Sequence, residues 1–238
     1  MIYLLGFVLT ALAVVGIHEA GHLVAARLCG IPVKKFALGL GPEIIGRQIG
    51  GTRYQMRALP VGGLVDVDNE ALYAAAWWKR AAVFLAGPAV NIVAGFAAIA
   101  GLAIAYGHHL PAALRMSGSV LGTIATSFFS SISQAVAGTG ITDLGGPVML
   151  AKVAGDAVSL GAGNAILMIA LVSFVVGLFN LLPLPLLDGG QALIAIGERV
   201  AGRRLPESVA NWLTRAGIAM LILLMLAVTY GDLVRLLA

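Results

Sequence analysis

Four stretches of the chain are almost continuously apolar and are long enough to cross a membrane as helices. They cover residues 2–28, 81–106, 165–182 and 212–230. Because a helix needs about 20 mostly apolar residues to span the hydrocarbon core of a bilayer, the pattern predicts four transmembrane helices. The first stretch lacks the basic start of a cleaved signal peptide, and it is longer than the apolar centre of such a peptide. We therefore interpret it as a retained span.

The connection between the first two spans, residues 31–66, has a different pattern. It is rich in glycine and alternates apolar with polar positions, which is typical of half-buried strands. Two such runs, Glu43–Ile49 and Thr52–Leu59, flank Gly50-Gly51, a pair suited to the positive φ angles of a tight turn. We therefore predict a small membrane-associated β-hairpin.

The connection between the second and third spans is only weakly apolar. Residues 117–160 combine serine, phenylalanine and glycine, and they predict interfacial helices on the outer leaflet rather than a fifth span. The predicted fold class is thus an α-helical integral membrane protein with about four transmembrane helices, a β-hairpin and interfacial helices. Because no internal repeat or low-complexity linker divides the chain, residues 1–238 are expected to form one membrane-embedded domain.

The composition agrees with this class. Apolar residues make up 60% of the chain and charged residues 11%, with a mean hydropathy of +0.97, whereas soluble domains are about 45–50% apolar and about 25% charged. These values exclude an ordinary soluble fold and also a disordered chain. The single cysteine, Cys29, excludes an internal disulfide. The net charge of +4, without a run of more than two basic residues, gives no indication of nucleic-acid binding.

The basic residues predict the orientation of the spans. Twelve of the 15 Lys and Arg residues fall in or beside the first and third connections. Basic residues accumulate on the cytoplasmic side of a membrane. We therefore expect a multi-pass protein of the cytoplasmic (cell) membrane with both termini on the outer side. Trp77-Trp78 with Lys79-Arg80 is interpreted as an interfacial anchor ahead of the second span.

The first span contains an HExxH motif, His18-Glu19-Ala20-Gly21-His22. Histidines four residues apart lie on one face of a helix, so both imidazoles can reach one metal ion. Glu19 is placed to accept a proton from a metal-bound water. The alternative is a buried polar cluster that helps helices associate, but unpaired ionisable groups are costly inside a bilayer, and a metal site accounts for them better.

A catalytic zinc ion commonly has three protein ligands, so one is missing from this motif. Asp188 is the remaining acid near membrane depth, and it follows Pro183 and Pro185, which cannot continue a helix. Broken backbone at this depth is tolerated where it is buried in protein or lines a wet cavity. Asp188 is therefore the candidate third ligand; the alternative is a helix N-cap.

Three motifs together resemble the site-2 protease family. They are His18–His22, Gly87-Pro88-Ala89-Val90-Asn91, and Asn180-xx-Pro-x-Pro-x-Leu187-Asp188-Gly189. The chain is most similar to the bacterial regulator of sigma-E protease branch. The resemblance implies an intramembrane zinc metalloprotease that cuts transmembrane helices of signalling proteins in regulated intramembrane proteolysis.

The resemblance also implies roles for individual residues. His18, His22 and Asp188 would be the Zn²⁺ ligands, with Glu19 as the catalytic base. Asn180 and Asn91 would contact substrate, and the hairpin at residues 43–59 would hold an unwound substrate segment. The expected partners are single-span membrane proteins and the lipid bilayer, and no nucleic acid.

One feature departs from that branch, which normally carries one or two PDZ domains between the second and third spans. Here the sequence after Tyr106 is too short for such a domain, which puts PDZ-based substrate screening in doubt. Two other classes stay open at this point. A metal transporter would use His18, His22 and Asp188 as a transit site but leave Glu19 without a purpose. An inactive scaffold would bind transmembrane segments without cutting them.

Overall fold

The structure is a computed structural model that describes residues 1–137 and 146–237. Eight helices and two strands are described in these ranges. In chain order they are α1 Ile2–Leu28, β1 Val33–Ile49, β2 Thr52–Val67, α2 Asn69–Ala74, α3 Trp77–Ala105, α4 Leu110–Val136, α5 Pro147–Ser159, α6 Ala162–Asn180, α7 Asp188–Ala201 and α8 Glu207–Leu237.

The four predicted spans are confirmed as helices. Helices α1, α3 and α6, together with Ser208–Arg235 of α8, are long and apolar enough to cross a membrane. The chain is therefore a multi-pass membrane protein. Helix α1 has the predicted bounds, whereas α3 begins earlier, at Trp77, and α8 continues to Leu237. The third span was predicted too long at its end, since α6 ends at Asn180 rather than at residue 182. Polar and aromatic residues at the ends of a span can remain helical, so hydropathy marks only the central part of each helix.

The weakly apolar region after the second span is helical where the structure describes it. Helices α4 and α5 both begin with proline in their first turn, a position where the missing N–H has no intrahelical partner to lose. Part of the predicted region, residues 138–145, lies outside the described residues. That these helices lie on the outer leaflet stays a prediction.

The hairpin prediction is confirmed at its turn. Ile49 lies opposite Thr52 in the β1–β2 pair. Gly50 and Gly51 both have positive φ, at 55° and 83°, as a two-residue hairpin turn requires. The strands continue well past the predicted ends, from Val33 and as far as Val67.

The additional strand length folds back into the same sheet. Residues 35–38 have partners on both sides: Lys35 lies opposite both Asp66 and Arg53. Along residues 35–38, the partners on one side run backwards in the sequence from Asp66 to Gly63. The partners on the other side run forwards from Arg53 to Met56. Bends at Gly39 and Gly41, with φ of 93° and 85°, make this path possible. Segments 43–49 and 63–67 are therefore the two edges of the sheet, which the hydrophobic alternation alone did not predict.

The chain divides into two compact units. The first comprises Met1–Thr10, Ala94–Val175 and Arg215–Ala238, and the second Ala11–Val93 and Val176–Thr214. The second unit contains all the predicted site residues. Its core joins α1, α2, α3 and the sheet through a cluster of buried apolar side chains: Leu23, Ala26, Ile31, Val33, Leu72 and Val83.

A buried acid organises the first unit. Asp232 of α8 is fully buried, and its carboxylate accepts hydrogen bonds from the backbone N–H groups of Gly146, Val148 and Met149, at 3.0, 3.1 and 3.0 Å. These N–H groups begin α5, whose own N-cap residue, Gly146, has no side chain to offer. Asp232 thus caps α5 from another helix and complements the positive end of its dipole.

We expect Asp232→Ala to lower the free energy of unfolding by about 3 kcal/mol, because one buried and two partly buried N–H groups lose their acceptor, and an unpaired buried group costs about 1–3 kcal/mol. Asp232→Asn keeps an acceptor and should lose less. Equilibrium unfolding in detergent micelles, followed by circular dichroism, measures both. The matched control is Asp156→Ala on the exposed face of α5, and equal stability of Asp232→Ala and this control would contradict the capping role.

Candidate metal centre

The structure brings His18, His22 and Asp188 together. The Nε2 atoms of the two imidazoles lie 3.1 Å apart. Asp188 Oδ2 is 2.9 Å from His18 Nε2 and 3.3 Å from His22 Nε2. One nitrogen or oxygen atom from each residue therefore points to a common centre, as the sequence predicted.

These atoms fit a zinc ion by chemistry and by environment. Their mutual distances all lie within 4.8 Å, and the two histidine side chains are only 12% and 11% exposed. Asp188 Oδ2 is buried and, within the part of the chain that the structure describes, accepts no regular hydrogen bond. Two imidazoles and a carboxylate form a known ligand set for catalytic zinc, with a position left for water.

A break between two helices delivers Asp188 to this centre. Helix α6 ends at Asn180 and α7 begins at Asp188. Leu187 is the N-cap of α7 and makes no side-chain cap bond, so the alternative of Asp188 as N-cap was wrong. The broken segment is stabilised internally, since Gln191 Nε2 donates to the carbonyl of Pro185 at 2.5 Å.

Glycines let the backbone turn tightly beside Asp188. A Cβ atom on Gly189 would collide with the backbone of Leu181, and one on Gly190 with the backbone of Leu184. Only residues without a side chain allow this loop to pack against the first turn of α7. The Gly-Gly pair after Asp188 thus has a steric role in placing the carboxylate.

Helix α3 contacts both imidazoles and pairs with the Nδ1 atom of each ring. His22 Nδ1 donates a hydrogen bond to the backbone carbonyl of Val83 at 2.7 Å, and Asn91 Nδ2 lies 3.2 Å from His18 Nδ1. Between them, a Cβ on Gly87 would overlap both imidazole rings. Positions 83, 87 and 91 are four apart, so one face of α3 carries all three contacts.

Glu19 lies on α1 next to the imidazoles. Its side chain is largely buried, with 9% exposed, and is close enough to interact electrostatically with His18, His22 and Asp188. The sheet covers it, since a Cβ on Gly63 would lie 2.6 Å from Glu19 Cγ. The edge segment 63–67 is therefore beside the carboxylate.

The two asparagines differ in their surroundings. Asn91 is fully buried and contacts a candidate metal ligand, His18. Asn180 is partly buried and donates to the carbonyl of Val176 in its own helix, at 3.0 Å. Contact of either side chain with substrate stays a prediction.

Sequence reasoning missed an ion pair that ties α7 to α3. Arg80 Nη1 donates to Glu198 Oε2 at 2.6 Å, with side chains only 7% and 11% exposed. The Arg80 guanidinium lies 4.5 Å from the centre of the Tyr73 ring, and Glu198 Oε1 accepts from the backbone N–H of Leu205. Arg80 thus forms a buried ion pair between α3 and α7. It also belongs to the first turn of α3, which is basic and aromatic.

The sequence contains one indication of this ion pair, the position of Glu198. It is the single acid between residues 189 and 206, a segment with three arginines. An isolated acid among basic residues at a helix end indicates a partner, but nothing local indicates which one.

Comparison with known proteins agrees with the motifs. The profile of peptidase family M50 matches residues 6–224. A Clostridium perfringens protein named as a candidate zinc metalloprotease is 25% identical over 330 aligned residues, covering 98% of this chain and 98% of that protein. A similarly named Clostridium acetobutylicum protein is 24% identical, covering 92% and 93%. The zinc metalloprotease Rip1 of Mycolicibacterium smegmatis is 36% identical over 127 residues, covering 45% of this chain and 31% of Rip1.

The chain therefore belongs to peptidase family M50. This confirms the resemblance to the site-2 protease family of zinc metalloproteases. The comparison neither supports nor contradicts the expected lack of PDZ domains.

We expect Gly87→Ala to weaken zinc binding by at least about tenfold, because the added methyl group displaces both imidazoles from their common centre. The control is Gly101→Ala on the same helix, where an added Cβ meets no atom within 4 Å. Zinc content after dialysis against a competing chelator measures the difference. Equal zinc retention in the two variants would show that Gly87 is not needed to make room for the imidazoles.

Proposed function

We propose that this chain is an intramembrane zinc metalloendopeptidase that cleaves transmembrane segments of membrane proteins. The observation that carries the proposal is the convergence of two imidazole nitrogens and the carboxylate oxygen of Asp188 next to Glu19. Both imidazoles and Glu19 belong to α1, a helix long and apolar enough to span a membrane. Family membership supports the reaction class.

His18, His22 and Asp188 are the zinc ligands in this proposal. Bound zinc polarises a carbonyl group and lowers the pKa of a coordinated water. The Val83 carbonyl supports the assignment of His22, because a carbonyl can only accept: Nδ1 carries the proton, and Nε2 presents its lone pair to the centre.

Glu19 is the general base. Its carboxylate accepts a proton from the attacking water and passes it to the amine of the departing peptide. The position supports this role, because Glu19 is buried beside the ligands without being one of the three convergent groups. The sheet against it also keeps bulk water away from the carboxylate.

The substrate must be unwound before it can react. A helical peptide bond is shielded, and its freed N–H and C=O groups need partners in a medium without water. A sheet edge can supply them by strand addition. The hairpin at residues 43–59 was expected to do this, and its segment 43–49 is one edge of the sheet. The second edge, 63–67, has the support of lying beside Glu19.

The placement in the cell follows from the charge pattern. With the first and third connections in the cytoplasm, both termini face outside the cytoplasmic membrane. Substrates would be single-span membrane proteins, and cleavage would release a membrane-tethered signalling factor. Regulated intramembrane proteolysis of this kind is the process we assign to the enzyme.

We expect Glu19→Gln to retain zinc and to lose cleavage of a membrane-spanning reporter by at least about 100-fold, because the amide cannot accept the proton. The assay uses the purified full chain in proteoliposomes, with zinc content measured on the same sample. Glu70→Gln, an exposed acid on α2, is the matched control and should cut normally.

Other outcomes would identify a different function. Cleavage by Glu19→Gln at the control rate would contradict the base assignment. Zinc flux into the vesicles without cleavage by the unmodified chain would indicate a transporter. Binding of the reporter without cleavage or zinc would indicate a scaffold.

A further inference from the structure

Asn91 has surroundings that its expected role does not explain. Its side chain is fully buried in α3, next to a candidate metal ligand. A buried side-chain amide needs hydrogen-bond partners, because leaving its groups unpaired is costly. One partner is His18 Nδ1, at 3.2 Å.

The two ring nitrogens of His18 contact different partners. Nε2 faces Asp188 Oδ2 and His22 Nε2, whereas Nδ1 faces Asn91. A neutral imidazole carries one proton, so one nitrogen donates and the other accepts. Whatever binds Nδ1 therefore decides whether Nε2 has a proton or a lone pair to present to a metal.

The arrangement in this structure corresponds to one of the two tautomers. Asn91 Nδ2 can only donate, so His18 Nδ1 is the acceptor and Nε2 carries the proton. The nitrogen that carries this proton lies 3.1 Å from His22 Nε2 and 2.9 Å from Asp188 Oδ2. This tautomer satisfies His18 without a metal but cannot bind one through Nε2.

An asparagine can support the other tautomer as well. A half-turn of the planar side-chain amide exchanges Nδ2 and Oδ1 with almost no change of shape. Oδ1 then accepts the proton of Nδ1, and Nε2 is left with its lone pair. A carbonyl, as in the contact of Val83 with His22, supports only the metal-binding form.

We propose that Asn91 is a positioning residue whose side-chain amide turns over as His18 changes tautomer on zinc loading. His22 is held in the metal-binding form by the Val83 carbonyl, whereas His18 exchanges the contacts of its protonated Nε2 with His22 and Asp188 for the metal. In this proposal Asn91 acts through His18 and is not itself a ligand of the ion. The proposal rests on the proposed function, in which His18 is a zinc ligand.

The direct test is the ¹⁵N NMR spectrum of His18 in the full chain labelled at histidine, with and without zinc. The His18 signals are assigned by comparison with His18→Gln. We expect Nε2 to carry the proton without zinc and Nδ1 to carry it with zinc. His22 should carry its proton on Nδ1 in both states. A proton on His18 Nδ1 in the metal-free chain would overturn the proposal.

Two variants test the chemistry of the amide. Asn91→Leu keeps the branched shape, at a larger volume, and removes both hydrogen-bonding groups, so we expect zinc affinity to fall by about 10–100-fold, the usual effect of losing a group that orients a ligand. Asn91→Asp keeps an acceptor, so zinc affinity at pH 8.5 should stay within about tenfold of the unmodified chain. In this variant Nδ1 should carry the proton with and without zinc.

Affinity is measured by competition with a chromophoric chelator, and thermal unfolding is recorded on the same samples. Asn164→Leu, the same change at an exposed position of α6, is the control. Unchanged zinc affinity in Asn91→Leu would overturn the proposal. So would an equal loss in both Asn91 variants accompanied by equal losses of melting temperature, because that result shows a packing role alone. Failure of the unmodified chain to bind zinc would instead refute the proposed function.

Discussion

Ionisable side chains in a membrane-spanning helix must find partners inside the protein, and this constraint organises the second unit of the chain. Helix α1 carries His18, Glu19 and His22 in an otherwise apolar sequence. Both histidines pair in two directions, with α3 behind them and with Asp188 in front. The arrangement that relieves the cost of burying these groups is the same one that prepares them for a metal ion.

Close approach of backbones makes these contacts possible. A Cβ on Gly21 would lie 2.6 Å from the carbonyl of Ala86, so α1 and α3 meet at a distance that only glycine permits. Gly87 leaves the space that the imidazole rings occupy, and Gly189 lets the broken segment turn at Asp188. Small residues at helix contacts are common in membrane proteins, where close packing replaces the hydrophobic effect between helices. In this chain they also shape the candidate metal centre.

The same rule governs polar groups away from the centre. Arg80 and Glu198 neutralise each other where α3 and α7 meet, so the helix that begins with Asp188 is also held at its far end. In the first unit, Asp232 satisfies the N–H groups of α5. A buried ion pair or cap contributes little net free energy when complete, but removing one partner leaves an unpaired group and is strongly destabilising.

The sequence by itself determined the parts that depend on short-range patterns. Apolar runs marked the four spans, Gly50-Gly51 marked the turn, and the HExxH spacing with a proline break before Asp188 indicated the three convergent residues. Only the tertiary structure decided the contacts that join distant parts of the chain. Asn91 meets His18 across 73 positions, and Arg80 meets Glu198 across 118. Periodicity shows which face of a helix is apolar, but which polar side chains meet depends on how the helices pack, and no local pattern specifies that geometry.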